Sequence, residues 1–238
     1  IFTGFTFKWY QSLSHNEMIL SALGLSLVVA LIAAVVATVV GTAAAIGINA
    51  MGKRSQAVIN NISYMPVVNP EIITGVSLML LFVVVKDGIA WANQNLGWAL
   101  PENVFGLPTL LVAHISFCLP YVIFNVSPKL RQLDVRVYEA ALDLGCNPKQ
   151  AFFKVVLPEL APAILSAFLI CLTYSIDDFL ISYFTSGTTQ TLPIVIYSMT
   201  RKKVSPEINA LSTVMFLVIL AIILVYNYLD GRRERRKA

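Results

Sequence analysis

Long apolar segments alternate with short polar ones along the whole chain. Five of these segments are long enough to cross a bilayer, which needs roughly 20 residues of helix. They cover residues 19–50, 62–85, 107–127, 161–184 and 210–228. The pattern predicts an all-α polytopic membrane protein, in which residues 1–238 form a single transmembrane domain.

The composition excludes a typical soluble domain. Hydrophobic residues make up 57% of the 238 residues and charged ones only 13%, whereas about a quarter of the residues in soluble domains are charged. The formal net charge is +4, and basic residues beside membrane spans attract anionic lipid headgroups. We therefore expect contact with membrane lipid and no role in binding nucleic acid.

The distribution of basic residues predicts the orientation of the spans. Twelve of the 17 lysines and arginines fall on one side of them, in residues 53–54, 129–154 and 232–237. The cytoplasmic side of a membrane protein carries this excess, so we place the loop at 134–158 and the C-terminus in the cytoplasm. Residues 1–17 hold neither a signal peptide nor a span. We therefore expect a further helix before Ile1, giving six spans with both ends inside.

The polar loop at 134–158 is predicted to begin with a short helix. Asp134 is a suitable N-cap, residues 135–144 make about three turns, and Gly145 can adopt the left-handed conformation that ends a helix. This helix carries four apolar residues at three- and four-residue spacing, Val137, Ala140, Ala141 and Leu144. We expect them to share one face, which would fit a groove on another protein.

A second short helix is predicted to follow in the same loop. Asn147 is a suitable cap, and Pro148 is tolerated at the first helical position. Pro158 is expected to end this helix. On the first helix, Glu139 and Asp143 form an acidic pair that is either solvated or in contact with basic residues of a partner.

The first apolar segment carries a small residue at every fourth position, Ala33, Ala37, Gly41 and Ala45. Such a stripe lets helix backbones approach closely in lipid, and we interpret it as a packing seam. Pore lining is the alternative, but the stripe offers no polar group to a solute.

Two prolines, Pro66 and Pro70, interrupt the start of the second apolar segment, since proline cannot continue a regular helix. Asn69 as cap, Pro70 and Glu71 predict a new helix start. Glu71 either interacts with the helix dipole or belongs to a translocation path. Residues 87–105 are predicted to be an external loop with tryptophans at the membrane interface.

Two adjacent carboxylates, Asp177 and Asp178, lie inside the apolar segment 161–184. Ionisable groups at membrane depth cost roughly 2.5–3.5 kcal/mol each and usually face a cavity, a partner or a pathway. One interpretation is a path for a cationic substrate, with Tyr174 and Tyr183 available for cation–π contact. The other is that one aspartate caps a helix break or pairs with polar groups of a neighbouring helix.

Several catalytic motifs are absent from the sequence. It contains no Gly-x-x-x-x-Gly-Lys-Ser/Thr phosphate loop, so ATP binding is expected on a separate subunit. It also contains no Gly-x-Ser-x-Gly turn and no cluster of His and Cys at metal-ligand spacing. We therefore expect a transport subunit and not an enzyme, with no catalytic, cofactor or metal site of its own.

The loop at 134–158 also contains a spaced motif. Glu139-Ala140-Ala141 is followed by Gly145 and, after nine residues, by a β-branched residue, any residue, Leu157 and Pro158. This motif resembles the cytoplasmic coupling loop of ABC importer permeases. Further segments resemble the permease subunits of bacterial spermidine/putrescine importers of the PotC type: residues 65–71, 114–121, 177–178, 192–193, 196–199 and 204–210.

The resemblance implies the MetI-like permease fold with a cytoplasmic coupling hairpin, and ATP-driven import of polyamines. It implies that the following residues contact the ATPase: Glu139, Ala140, Ala141, Asp143, Gly145, Leu157 and Pro158.

The implied partners are a second, different permease, an ATPase dimer that binds ATP and Mg²⁺, and an extracytoplasmic polyamine-binding protein, assembled in the bacterial plasma membrane. The main alternative is an ABC permease for another solute, such as an amino acid, a ferric ion or an organophosphonate. A secondary transporter is the weaker alternative.

Overall fold

A computed structural model describes residues 8–101, 103–202 and 206–235 of the chain. Every regular element in these ranges is helical, as the sequence predicts. The helices are α1 Lys8–His15, α2 Glu17–Asn49, α3 Lys53–Val68, α4 Glu71–Leu96, α5 Leu107–Gln132, α6 Val135–Asp143, α7 Pro148–Ala151, a π-helical turn Phe152–Val156, α8 Leu157–Asp177, α9 Leu180–Thr185, α10 Leu192–Lys202 and α11 Pro206–Arg235.

Four helical stretches of the described residues are long and apolar enough to span a membrane. They are Glu17–Asn49, Glu71–Leu96, Leu107–Gln132 and Pro148–Asp177. The predicted fifth span, 210–228, lies within α11, where a shorter apolar stretch covers Pro206–Ala221. Four of the five predicted spans therefore have a matching helix, and the fifth stays a prediction.

Contacts group the chain into two units. The larger is Gly24–Ile194, and the smaller combines Ile1–Leu23 with Val195–Ala238. The candidate site lies in the larger unit. The expectation of a single transmembrane domain stays a prediction.

The core of the larger unit is built around α5. Eleven residues of α5 are buried, compared with three of α4. The buried cluster combines small and large apolar residues from α2, α4, α5, α8 and α9, including Ala37, Phe82, Val122, Cys171 and Ile181. The remaining faces of α2 and α4 carry many exposed Val, Leu and Ile side chains, which suits contact with lipid.

The small-residue stripe of α2 is a packing seam, as predicted. Ala33, Ala37 and Ala45 are fully buried. A Cβ added to Gly41 would lie 2.7 Å from Cβ of Val122 on α5, a separation that real side chains do not adopt. The two backbones can therefore come this close only because residue 41 has no side chain.

Helix α1 packs against the start of α11 in the smaller unit. The Ser12 hydroxyl donates to Oε1 of Glu207, and Asn16 Nδ2 donates to Oε2 of the same carboxylate at 3.2 Å. Leu13 and Leu211 are buried beside these polar contacts. One carboxylate thus joins α1 and α11.

The second span has the predicted helix start before Glu71, but it differs from the prediction in three ways. Pro66 lies inside α3 and does not interrupt it, the residue before α4 is Pro70 with no side-chain cap from Asn69, and the span ends later than predicted. The chain breaks at Asn69 and Pro70, and α4 starts at Glu71. It then continues to Leu96, where Gly97 in the left-handed conformation (φ 67°) ends it, so the first half of the predicted loop 87–105 is helical. Lys86 and Asp87 do not stop the helix, because a charged side chain can stay exposed while the backbone remains helical.

We predict that Gly41→Ala lowers the melting temperature of the detergent-solubilised protein. The new methyl group would overlap Val122, and overpacking of this kind costs about 1–3 kcal/mol. Gly47→Ala is the matched control on the same helix, because a Cβ there meets nothing within 4 Å and alanine favours helix. Equal melting of the two variants would contradict the close contact.

Candidate functional site

A helix break stands in the middle of the predicted span 161–184. Helix α8 ends at Asp177, and α9 begins at Leu180, so the predicted span 161–184 is interrupted before its end. The Asp178 side chain accepts hydrogen bonds from the backbone N–H of Ser182 at 2.7 Å and of Ile181 at 3.3 Å. Asp178 therefore satisfies N–H groups that the break leaves free, which is the structural role considered for this pair of aspartates.

A cavity of about 220 Å³ lies beside this break. We call it the acidic cavity, and its lining residues are Glu71, Phe117, Tyr121, Tyr174, Asp177 and Asp178. Glu71 lies in the first turn of α4, directly after the break at Asn69 and Pro70. Both interrupted spans of the larger unit thus bring their interruptions to the same cavity.

The charged side chains that line the acidic cavity are all acidic. Asp177 is exposed and Asp178 is buried, with 7% of its surface accessible. Within the described ranges, no Lys or Arg lines the cavity or forms an ion pair with Glu71, Asp177 or Asp178. Asp177 also stands at the C-terminal end of α8, where the helix dipole is negative. The arrangement therefore suits a ligand with several positive charges.

Three aromatic rings form one wall of the acidic cavity. Tyr121 and Tyr174 pack edge to face with ring centres 4.8 Å apart, and Phe117 lies 5.4 Å from Tyr121. Aromatic faces attract ammonium groups. Phe117 and Tyr121 were not among the predicted site residues. Their spacing of four residues on α5 was the available signal, but it is equally typical of a packed core.

Four of the five predicted pathway residues meet at the acidic cavity: Glu71, Tyr174, Asp177 and Asp178. Tyr183 does not line it. Its ring is half exposed on α9 and packs 5.4 Å from Phe179 and 5.5 Å from Phe184.

The loop at 134–158 folds into the predicted pair of helices, which we call the hairpin. Asp134 caps α6 by accepting from the N–H of Arg136 at 3.0 Å. Gly145 has φ 88°, the left-handed conformation expected after the helix. Asn147 and Gln150 form a reciprocal capping box at the start of α7. Local capping rules therefore account for both helix starts and for the turn.

The two sides of α6 differ in exposure. Ala141 is buried, whereas Val137 and Leu144 are exposed, Leu144 with 86% of its surface accessible. Ala140, Glu139 and Asp143 are also exposed. The predicted apolar face is thus divided. Ala141 packs inward, and Val137, Ala140 and Leu144 form an uncovered apolar stripe, with Glu139 and Asp143 exposed on the same short helix.

Pro158 does not end the second helix of the hairpin, contrary to prediction. The turn Phe152–Val156 is π-helical, and the N–H of Leu157 bonds to the carbonyl of Phe152 five residues earlier. This wider turn accommodates Pro158, which lies in the first turn of α8. Leu157 and Pro158 therefore start the next span, so that α7, the π-helical turn and α8 form one continuous helical path.

We predict that Asp178→Ala lowers the melting temperature more than Asp177→Ala. Losing an N-cap costs about 0.5–2 kcal/mol, which corresponds to several degrees for a chain of this size. Asp177 is the adjacent control, since it is exposed. Thermal melting of the solubilised protein, followed by circular dichroism, measures the difference. Indistinguishable curves would contradict the capping role.

Known proteins resemble the chain over most of its length. It is 37% identical over 241 residues to the putrescine transport system permease protein PotI of Escherichia coli, covering 100% of this chain and 82% of that protein. It is 35% identical over 223 residues to the spermidine/putrescine transport system permease protein PotC of Haemophilus influenzae, covering 93% and 80%.

Two solved structures share the fold. One is a bacterial ABC transporter involved in the import of the acidic polysaccharide alginate, with a TM-score of 0.72, 17% identity, and 97% of this chain and 85% of that chain covered. The other is an amino acid ABC transporter, with a TM-score of 0.59, 18% identity, and 93% and 98% covered. The expected permease fold is confirmed.

The match to a protein family agrees with the helices described above. Residues 37–238 match the family described as binding-protein-dependent transport system inner membrane component. Components of this kind work in the membrane together with other subunits, and they are transport proteins rather than enzymes. The chain therefore belongs to this family, as an inner membrane component of a binding-protein-dependent transport system, and it has apolar helices of membrane-spanning length.

Proposed function

We propose that this chain is the permease subunit of an ATP-driven polyamine importer and forms half of its translocation pathway. The observation that carries the proposal is the acidic cavity. Its lining combines three carboxylates with three aromatic rings, and a polyamine carries several ammonium groups on a flexible apolar chain. Each part of such a ligand has a complementary group in the cavity.

The energetics of the membrane favour the same substrate class. Each ionised carboxylate at membrane depth costs roughly 2.5–3.5 kcal/mol on insertion scales. A bound polycation would offset part of that cost, and each cation–π contact would add about 0.5–2 kcal/mol. An anionic or neutral solute would gain no such compensation from Glu71, Asp177 and Asp178. The names of PotI and PotC, which refer to putrescine and spermidine, support this choice over amino acids, ferric ions and organophosphonates.

The hairpin would connect the permease to its energy source. Its uncovered apolar stripe, Val137, Ala140 and Leu144, suits a groove on a cytoplasmic ATPase, and the exposed Glu139 and Asp143 suit basic residues at the edge of that groove. In this proposal the ATPase dimer binds ATP and Mg²⁺, and the hairpin and the C-terminus lie in the cytoplasm. A second, different permease completes the pathway, and an extracytoplasmic polyamine-binding protein delivers the substrate.

Helix α8 would transmit motion from the hairpin to the acidic cavity. It has 21 residues and at about 1.5 Å per residue is about 32 Å long. Its N-terminal end continues from the hairpin through the π-helical turn, and its C-terminal end carries Asp177. Closure of the ATPase dimer would displace the hairpin and, through α8, change the position of Asp177 relative to Glu71 on α4. Alternating access of the cavity would follow.

We predict that Glu71→Gln and Asp177→Asn each lower polyamine uptake about tenfold, the equivalent of about 1.4 kcal/mol, because each removes one attractive charge. Uptake of labelled spermidine and putrescine is measured in proteoliposomes containing the full complex. Glu159→Gln is the control, since this exposed acid lies in the first turn of α8 and not at the cavity. Uptake at the wild-type rate by both cavity variants would reject the proposal.

We also predict that Leu144→Asp and Glu139→Lys weaken the association with the ATPase and abolish uptake. Both side chains are exposed, so the fold of the chain is expected to remain intact. Gln132→Asp, an exposed position at the end of α5, adds a charge outside the hairpin and serves as the control. Co-purification of the ATPase and uptake by the complex are measured together. Full uptake by either hairpin variant would contradict the coupling role.

A further inference from the structure

A histidine inside the helix bundle joins the two sides of the break between α8 and α9. His114 lies on α5 and has only 1% of its surface exposed. Its Nδ1 lies 2.6 Å from the hydroxyl of Ser175, in the last turn of α8. Its Nε2 lies 2.9 Å from the hydroxyl of Ser182, on α9. One imidazole ring therefore contacts the helix before the break and the helix after it.

The same ring lies close to the carboxylate that caps α9. His114 Nε2 is 3.6 Å from Oδ2 of Asp178, and Asp178 accepts from the backbone N–H of Ile181 and Ser182. Helix ends at membrane depth need internal partners for their free backbone groups. The break is therefore held by two connected contacts, the Asp178 cap and the His114 bridge.

We infer that His114 is a positioning residue of the acidic cavity, an inference that rests on the polyamine-transport function proposed above. The bridge sets the relative position of the end of α8 and the start of α9. Those two points carry Asp177 and Asp178, which face the cavity. His114 itself is not among the described residues that line it, so it acts on a substrate through the two aspartates.

Imidazole is well suited to this bridge. Its two nitrogens point in different directions, and the neutral ring offers one donor and one acceptor, while each serine hydroxyl can serve as either. A glutamine could retain one of the two contacts, and a leucine could retain none. His114 also precedes Phe117 by three residues and Tyr121 by seven on α5, so one face of this helix carries both the bridge and part of the aromatic wall.

A purely structural role makes a different prediction from a positioning role. If the bridge only stabilised the bundle, its loss would weaken the binding of every ligand by a similar factor. If it sets the carboxylate positions, ligands with several ammonium groups would lose more than a ligand with one. Each additional ammonium group depends on a further carboxylate at a defined place.

The experiment compares spermidine, which has three amine groups, with butylamine, which has one. Binding to the purified full complex in nanodiscs is measured without the binding protein, directly for labelled spermidine and by competition for butylamine. The variants are His114→Leu, His114→Gln, Ser175→Ala and Ser182→Ala. Ser116→Ala is the control, because this exposed hydroxyl on α5 donates to the carbonyl of Val112 in its own helix.

We expect His114→Leu to reduce the preference for spermidine over butylamine at least tenfold. His114→Gln and the two serine variants should reduce it less, and Ser116→Ala should retain it. An unchanged ratio in His114→Leu, whether binding is intact or uniformly weaker, would overturn the positioning role and leave the proposed function standing. A wild-type complex that neither binds nor transports spermidine or putrescine would instead overturn the proposed function, and the inference with it.

Discussion

Hydrocarbon offers no hydrogen bonds, so a helix that stops at membrane depth must find partners for its backbone within the protein. This constraint determines where the chain can be irregular. One interruption separates α3 from α4 at Asn69 and Pro70, and the other separates α8 from α9 at Asp178 and Phe179. Asp178 provides acceptors for the N–H groups of α9. At the second interruption, the irregular backbone and the carboxylate of Asp178 thus occur together for a physical reason.

The acidic cavity and the hairpin lie at opposite ends of α8. The hairpin contains the π-helical turn Phe152–Val156 and the left-handed Gly145, and the acidic cavity lies at the two helix breaks. The wall formed by α2 and α5 is closely packed at Gly41 and Val122. A closely packed wall beside a helix that reaches from the hairpin to the acidic cavity is an arrangement suited to transmitting displacement along that helix.

Local rules predicted those parts of the structure that depend on a few neighbouring residues. Asp134, Gly145 and Asn147 each cap or end a helix through contacts within four residues, so their roles follow from the sequence. The break before Glu71 was also predictable, because Pro70 followed by Glu71 is typical of a helix start, whereas Pro66 lies inside α3 and did not interrupt it. The small-residue stripe of α2 predicted a close contact with another helix, since a spacing of four residues places all its members on one face of α2.

Features that depend on distant segments were not predictable in the same way. Asp178 caps a new helix beside His114, which lies 64 residues earlier in the chain, and no local pattern records that contact. Phe117 and Tyr121 are recognisable as site residues only when Tyr174 is seen beside them. Pro158 was expected to end a helix because a π-helical turn has no clear signature in a single sequence.

The carboxylates of the acidic cavity are carried by separate helical segments, Glu71 by α4 and Asp177 by α8. A site that attracts a polycation strongly also tends to retain it, and a transporter must let its cargo go. Because the charges are carried by different helices, a modest separation of α4 from α8 would weaken the negative potential of the cavity without neutralising any acid. In the proposed transport cycle, release of the substrate would then need no change in protonation, only a larger distance between the carboxylates.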